Sequence, residues 1–130
     1  MFLNTLTNIY IMYNYFAESE WKEFFLDEIC NINSGVRLTK ANMNEGKMPF
    51  IGATDSNNGI TNFVSNTNKS LDKNVLGVNY NGSVVENFYH PYECIFSDDV
   101  KRISFKDDEG QNKYCYLFLK QMILKQKEKY

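Results

Sequence analysis

Between Pro49 and Phe105 the apolar residues come in runs of strand length, each cut off by a polar turn. This punctuation limits the fold more than any other feature of the chain. Pro49-Phe50-Ile51-Gly52 is a short apolar run, and Asp55–Gly59 (DSNNG) is a loop by composition. Ile60–Val64 and Val75–Tyr80 follow as strands. Asn81-Gly82 is the strongest hairpin signal, because both residues tolerate the positive φ of a type I′ turn, so Ser83–Tyr89 is the expected return strand. Glu93–Ser97 and Val100–Phe105 are two further strands, and Asp107–Gly110 reads as a polar turn.

The flanks differ. Residues 1–16 are aromatic and uncharged, and Leu6, Ile9, Tyr10 and Tyr13 fall at helical spacing, which predicts a short helix. Trp21–Cys30 reads as a strand running into one helical turn, and Gly35 marks a bend. Lys113–Lys129 contains no Gly or Pro. Its Tyr114, Leu117, Phe118, Met122 and Leu124 sit among lysines and glutamines, as in an amphipathic helix. The expected class is α+β, a twisted antiparallel sheet with long loops flanked by a few helices. Residues 1–20 form an N-terminal helical segment in this reading, and residues 21–130 form the domain itself.

Hydrophobic residues at 43% and aromatics at 15% are enough to build a core for one domain of 130 residues. The net charge is −2 and the pI about 5.4, which argues against general nucleic-acid affinity. The charge is uneven, however. Glu18, Glu20, Glu23, Asp27 and Glu28 face only Lys22 in residues 1–28, whereas Lys113, Lys120, Lys125, Lys127 and Lys129 face only Glu128 at the other end. Phosphate contacts supply much of the affinity for DNA, so a DNA-binding chain of this balance needs a partner to add them. Cys30, Cys94 and Cys115 are odd in number and far apart, no signal peptide is visible, and no apolar stretch approaches the ~20 residues of a membrane span. A reduced, cytoplasmic protein is the expectation.

Catalytic constellations are sparse. His90 is the single histidine, and a Cys94–His90 dyad would have no orienting third group. One histidine and three scattered cysteines do not make a zinc site, and no phosphate-binding glycine motif occurs. Asp99-Val100-Lys101 has the acid-x-lysine spacing of metal-dependent nucleases, with Asp98, Asp55 or Glu93 as a second acid, but the pattern is common by chance. Thirteen asparagines lie between Asn31 and Asn87. Their amides suit adenine recognition, although AT-rich coding accounts for them more simply. Thr54, Asp55, Asn57 and Asn58 in one loop, and Asn79, Tyr80 and Asn81 in the hairpin, carry groups that match base edges. Lys47, Lys69, Lys73 and Lys101 are candidates for phosphates.

Six ordered segments carry a resemblance. They are W-x-x-x-x-L-x-E-I-C at Trp21–Cys30, S-G-V-R-L-T-K-A-x-M at Ser34–Met43 and P-F-I-G-A-T-D-S-N-N-G-I-T-N-F at Pro49–Phe63. S-L-D-K-N-V-L-G-V-N-Y-N-G-S-V at Ser70–Val84, F-Y-H-P-Y-E-C at Phe88–Cys94 and S-D-D-V-K at Ser97–Lys101 complete the set. Together they resemble the target recognition domains of type I restriction enzyme specificity subunits and their relatives fused to type IIG enzymes. The resemblance implies a non-catalytic module that reads double-stranded DNA and holds no cofactor itself. A methyltransferase subunit then brings S-adenosylmethionine and flips the target adenine, and a separate restriction subunit cleaves. Thr54, Asp55, Ser56, Asn57, Asn58, Asn79, Tyr80 and Asn81 match the family's loop segments. Val85 stands where the family commonly has glycine. The family's module normally continues beyond the position of Tyr130 and occurs twice per subunit, so a partial module that self-associates or depends on a partner is expected. Two other readings are a nuclease using Asp99 and Lys101, and a fragment that binds the methyltransferase without reading DNA.

Overall fold

The computed structural model describes residues 9–13, 20–24, 26–81 and 85–125. Among the described residues, nine strands and two α-helices follow one another. They are β1 (Ile9–Tyr13), β2 (Glu20–Phe24), α1 (Leu26–Ile29), β3 (Cys30–Ser34), β4 (Glu45–Ile51), β5 (Ile60–Val64), β6 (Val75–Asn79), β7 (Asn87–His90), β8 (Ile95–Phe96), β9 (Val100–Phe105) and α2 (Lys113–Leu124). Single 3₁₀ turns occupy Lys40–Asn42, Asn57–Gly59 and Asp108–Gly110. The strands form a four-stranded antiparallel sheet, β3-β9-β6-β7, a three-stranded sheet, β5-β4-β8, and the β1-β2 pair. The class is α+β, as the strand-and-turn pattern implied.

β6 shows why the layers stack as they do. All five of its residues are buried, and alternate side chains serve two cores. Leu76 and Val78 point toward α2, where they pack with Leu26, Ile103, Tyr116, Leu119 and Ile123. Val75 points the other way, into a cluster with Ile51, Cys94, Phe96 and Val100 between the two sheets. A third cluster, Phe50, Val64 and Ile95, fills the small sheet. Each fully buried Leu, Ile or Phe contributes about 1.5–3 kcal/mol.

Four expectations require correction. The helix expected over residues 1–16 is a strand at Ile9–Tyr13, paired antiparallel with Glu20–Phe24. The run IYIMY is β-branched and aromatic, and its pairing partner outweighs the helical spacing. The rest of that stretch lies outside the described residues. The tight turn at Asn81-Gly82 is a longer connection, because β6 ends at Asn79 and β7 begins at Asn87. Tyr80 and Asn81 turn aside so that their N–H groups both donate to Asp99 O, at 2.8 and 3.4 Å. Residues 82–84 lie outside the described residues, and Val85 is buried at φ 63°, a strained conformation for a β-branched residue that explains glycine there. The small sheet is mixed rather than antiparallel, since β8 runs parallel to β4 through Phe50↔Ile95 and Ile51↔Phe96. On α2, Tyr116, Leu119, Met122 and Ile123 form the buried face, while Tyr114, Leu117 and Phe118 are exposed. Apolar residues occur on both sides of this helix, so periodicity alone does not choose between them.

Candidate nucleic-acid interface

The sheets bring four connections to one end of the molecule. β4 leads into residues 52–59, β8 into residues 97–99, β6 into Tyr80 and Asn81, and β3 into Gly35 and Val36. Backbone hydrogen bonds lace them together. Ser97 N–H donates to Ile51 O at 2.8 Å, Val36 N–H to Phe96 O at 2.8 Å and Gly35 N–H to Val100 O at 3.2 Å. A Cβ on Gly35 would stand 1.9 Å from Ser97 O, so only glycine allows this approach.

Most of the residues picked out in the sequence gather here, in differing states. Asn79 is buried, and its Nδ2 donates to Thr54 O at 2.9 Å. The Thr54 and Ser56 hydroxyls stand 3.2 Å apart. Asp55, Asn57 and Asn58 are exposed. Asn57 and Asn58 adopt φ of 55° and 53°, followed by Gly59 at 79°, a left-handed run that asparagine and glycine tolerate best. Asn57 Nδ2 donates to Ile60 O at 3.1 Å. Asn81 Nδ2 donates to an Asp99 carboxylate oxygen at 2.9 Å. Lys101 Nζ donates to Ser34 Oγ at 2.7 Å and lies 4.7 Å from the centre of the Tyr80 ring. Lys47 is not in this group. It stands exposed at the far end of β4, in a β-bulge between Glu45 and Met48. Lys69 and Lys73 are also exposed, in the connection before β6.

Sequence reasoning missed the support beneath this end. Asn58 Nδ2 donates to the Tyr92 hydroxyl at 2.8 Å and to Tyr89 O at 3.3 Å. The same hydroxyl lies 3.1 Å from Nδ1 of His90, whose ring is fully buried and meets Phe96 edge-on at 5.4 Å. Burial holds the His90 pKa down to about 4, so the ring is neutral. Its Nε2 has no hydrogen-bond partner among the described residues and faces Gly77, where a Cβ would come within 3.1 Å. Below the same end, Arg102 Nη1 pairs with Asp72 at 3.0 Å, and its Nε and Nη2 donate to Ser34 O at 3.3 and 3.1 Å.

The chemistry of the other candidates is muted. The Cys94 thiol is buried, and burial with Asp72 beside it pushes its pKa up to about 12, so it stays protonated. It lies toward Asp72 O at 3.8 Å, while His90 faces Tyr92 and Phe96. Lys101, the lysine of the acid-x-lysine pattern, is held by Ser34 and Tyr80. Among the described residues no three His, Cys, Asp or Glu side chains stand close enough to hold a metal ion. No helix there is long and apolar enough to cross a membrane.

The four sheet-end connections thus present amides, acids and hydroxyls together at one end of a layered α+β domain. The family model described as the type I restriction modification DNA specificity domain matches residues 18–130, and the chain belongs to that family. Over 110 residues it is 67% identical to the type II restriction enzyme BgcI specificity subunit, S.BcgI, of Heyndrickxia coagulans. That match covers 85% of this chain and 32% of the relative, so the chain spans about a third of its length. The structure is similar to the S subunit of a type I restriction-modification system from M. genitalium, with a TM-score of 0.66 and 27% identity over 80% of this chain and 27% of that one. The HsdS subunit of Thermoanaerobacter tengcongensis shares the fold at a TM-score of 0.54 and 15% identity, over 75% of this chain and 27% of that one.

Proposed function

We propose that this chain is a non-catalytic DNA-reading module, which directs a methyltransferase and restriction complex to one half of a target site. The observation that carries the reading is the gathering of residues 52–59, Tyr80, Asn81 and residues 97–101 at one end of the sheets, in a chain of the specificity-domain family. Side chains there offer both donors and acceptors to base edges. Asp55, Asp98 and Asp99 stand at this end with Lys101, whose ammonium is already engaged, so the end is suited to reading bases rather than to clamping phosphates. Exposed lysines away from it, Lys47 first among them, supply phosphate contacts, and partner subunits supply the rest.

Selection of random duplex DNA by the purified chain at two salt concentrations, with circular dichroism to verify folding, tests this. An enriched motif whose affinity falls with salt is expected. A folded chain that enriches nothing overturns it. One observation favours a second reading, in which the module docks on a methyltransferase subunit or on its own copy. Tyr114, Leu117 and Phe118 expose 75%, 44% and 37% of their surface along one side of α2, an unusual apolar stripe for a free helix. Co-purification with the methyltransferase in the absence of DNA, or concentration-dependent self-association, is its signature.

A further inference from the structure

The loop after β4 is tied to the rest of the fold at two points, with Asp55 and Asn57 exposed between them. At its start, the buried Asn79 side chain holds Thr54 O. At its end, Asn58 is held by the Tyr92 hydroxyl and by Tyr89 O, and Tyr92 in turn leans on the buried ring of His90. Gly59 then fits against Phe88 and His90, with 3.2 and 3.7 Å to the position a Cβ would take. The left-handed run at Asn57–Gly59 folds the chain back sharply at this point. Between the two anchors, the side chains of Asp55 and Asn57 are exposed. Asn57 gives one amide hydrogen to Ile60 O. No hydrogen bond or ion pair among the described residues engages the Asp55 carboxylate.

A carboxylate only accepts hydrogen bonds, and it is repelled by phosphates. On a surface applied to DNA its favourable partners are the amino groups of base edges, N4 of cytosine and N6 of adenine in the major groove. Resting on the DNA-reading function proposed above, we infer that Asp55 selects an amino-bearing base, and that Asn79, Asn58 and Tyr92 position it without touching DNA themselves. Four of the residues near this loop thereby divide into one that chooses the base and three that hold the chooser still.

The test is selection of random duplexes by the full chain as wild type, Asp55→Asn and Tyr92→Phe, each checked for folding. The wild-type motif should contain a cytosine or adenine position, discriminated about 5- to 150-fold. Asp55→Asn adds a donor, so it should change the preferred base at that position and leave the others intact. Tyr92→Phe removes the hydroxyl that holds Asn58, and should blur preference at that same position while the rest of the motif stays sharp. A general loss of stability would instead weaken every position alike, and that result rejects the positioning role. An unchanged motif for Asp55→Asn rejects the inference while leaving the DNA-reading function intact. A folded wild-type chain that enriches no motif sinks both.

Discussion

Gly59 combines a left-handed backbone with close packing in the loop after β4. Its φ is 79°, and a Cβ would sit 3.2 Å from both Ile51 Cγ2 and Phe88 Cδ2. Gly59→Ala should therefore lower stability by about 1–3 kcal/mol, visible as a lower urea midpoint with an unchanged slope. His90 sets a different dependence. Its pKa is about 4 in the folded chain against an ordinary value of 6.5, because burial disfavours the charged ring. Below pH 6.5 the unfolded chain takes up a proton that the folded chain refuses, so stability falls as pH drops from 6.5 toward 4. The loss from this group is at most about 1.4 kcal/mol per pH unit. It should be recovered as a difference in slope between wild type and His90→Gln in urea titrations across that window. Equal slopes would show that His90 is not the group responsible.

Helix α2 begins where its sequence says it should. Asn112 Oδ1 accepts from Cys115 N–H at 3.0 Å, while its Nδ2 donates to Glu109 O at 2.8 Å. Asn112→Ala removes this cap and should destabilise the chain by about 1 kcal/mol, read by thermal unfolding followed at the helix signal. Locally encoded features were legible: the closing helix that starts at Lys113, the strands Ile60–Val64 and Val100–Phe105, and the one-turn helix before Cys30. What was not legible depends on partners distant in the chain. β1 is a strand because Glu20–Phe24 lies beside it. Tyr80 and Asn81 leave the hairpin because Asp99 O receives them. In the candidate site, Asn79 and Asp55 look alike in sequence as polar loop-end residues. Only the fold buries Asn79 against Thr54, 25 positions away, and leaves Asp55 exposed. His90 and Tyr92 gave no signal as supports, because the Asn58 amide that they brace lies 34 positions from Tyr92.

For the molecule as a whole, the separation between the acidic end proposed to read bases and the exposed lysines would make base choice and affinity independent properties. Lys47 sits four residues before the end of β4, which at about 3.3 Å per residue places it roughly 13 Å from the loop that follows. With the loop tip on the floor of a major groove about 8.5 Å deep, a lysine that far back along the strand would lie just above the rim, where its long side chain would meet the phosphates. Lys47→Gln should therefore weaken binding by a similar factor for every sequence, and should reduce the slope of log affinity against log salt by about 1. The enriched motif should not change. A fluorescence-anisotropy titration of the selected duplex and of a scrambled one, at several salt concentrations, reads both quantities together. If Lys47→Gln alters the motif, Lys47 reads bases. If it leaves slope and affinity untouched, the phosphate contacts of this chain lie on another face, and the lysines of α2 become the surface to replace next.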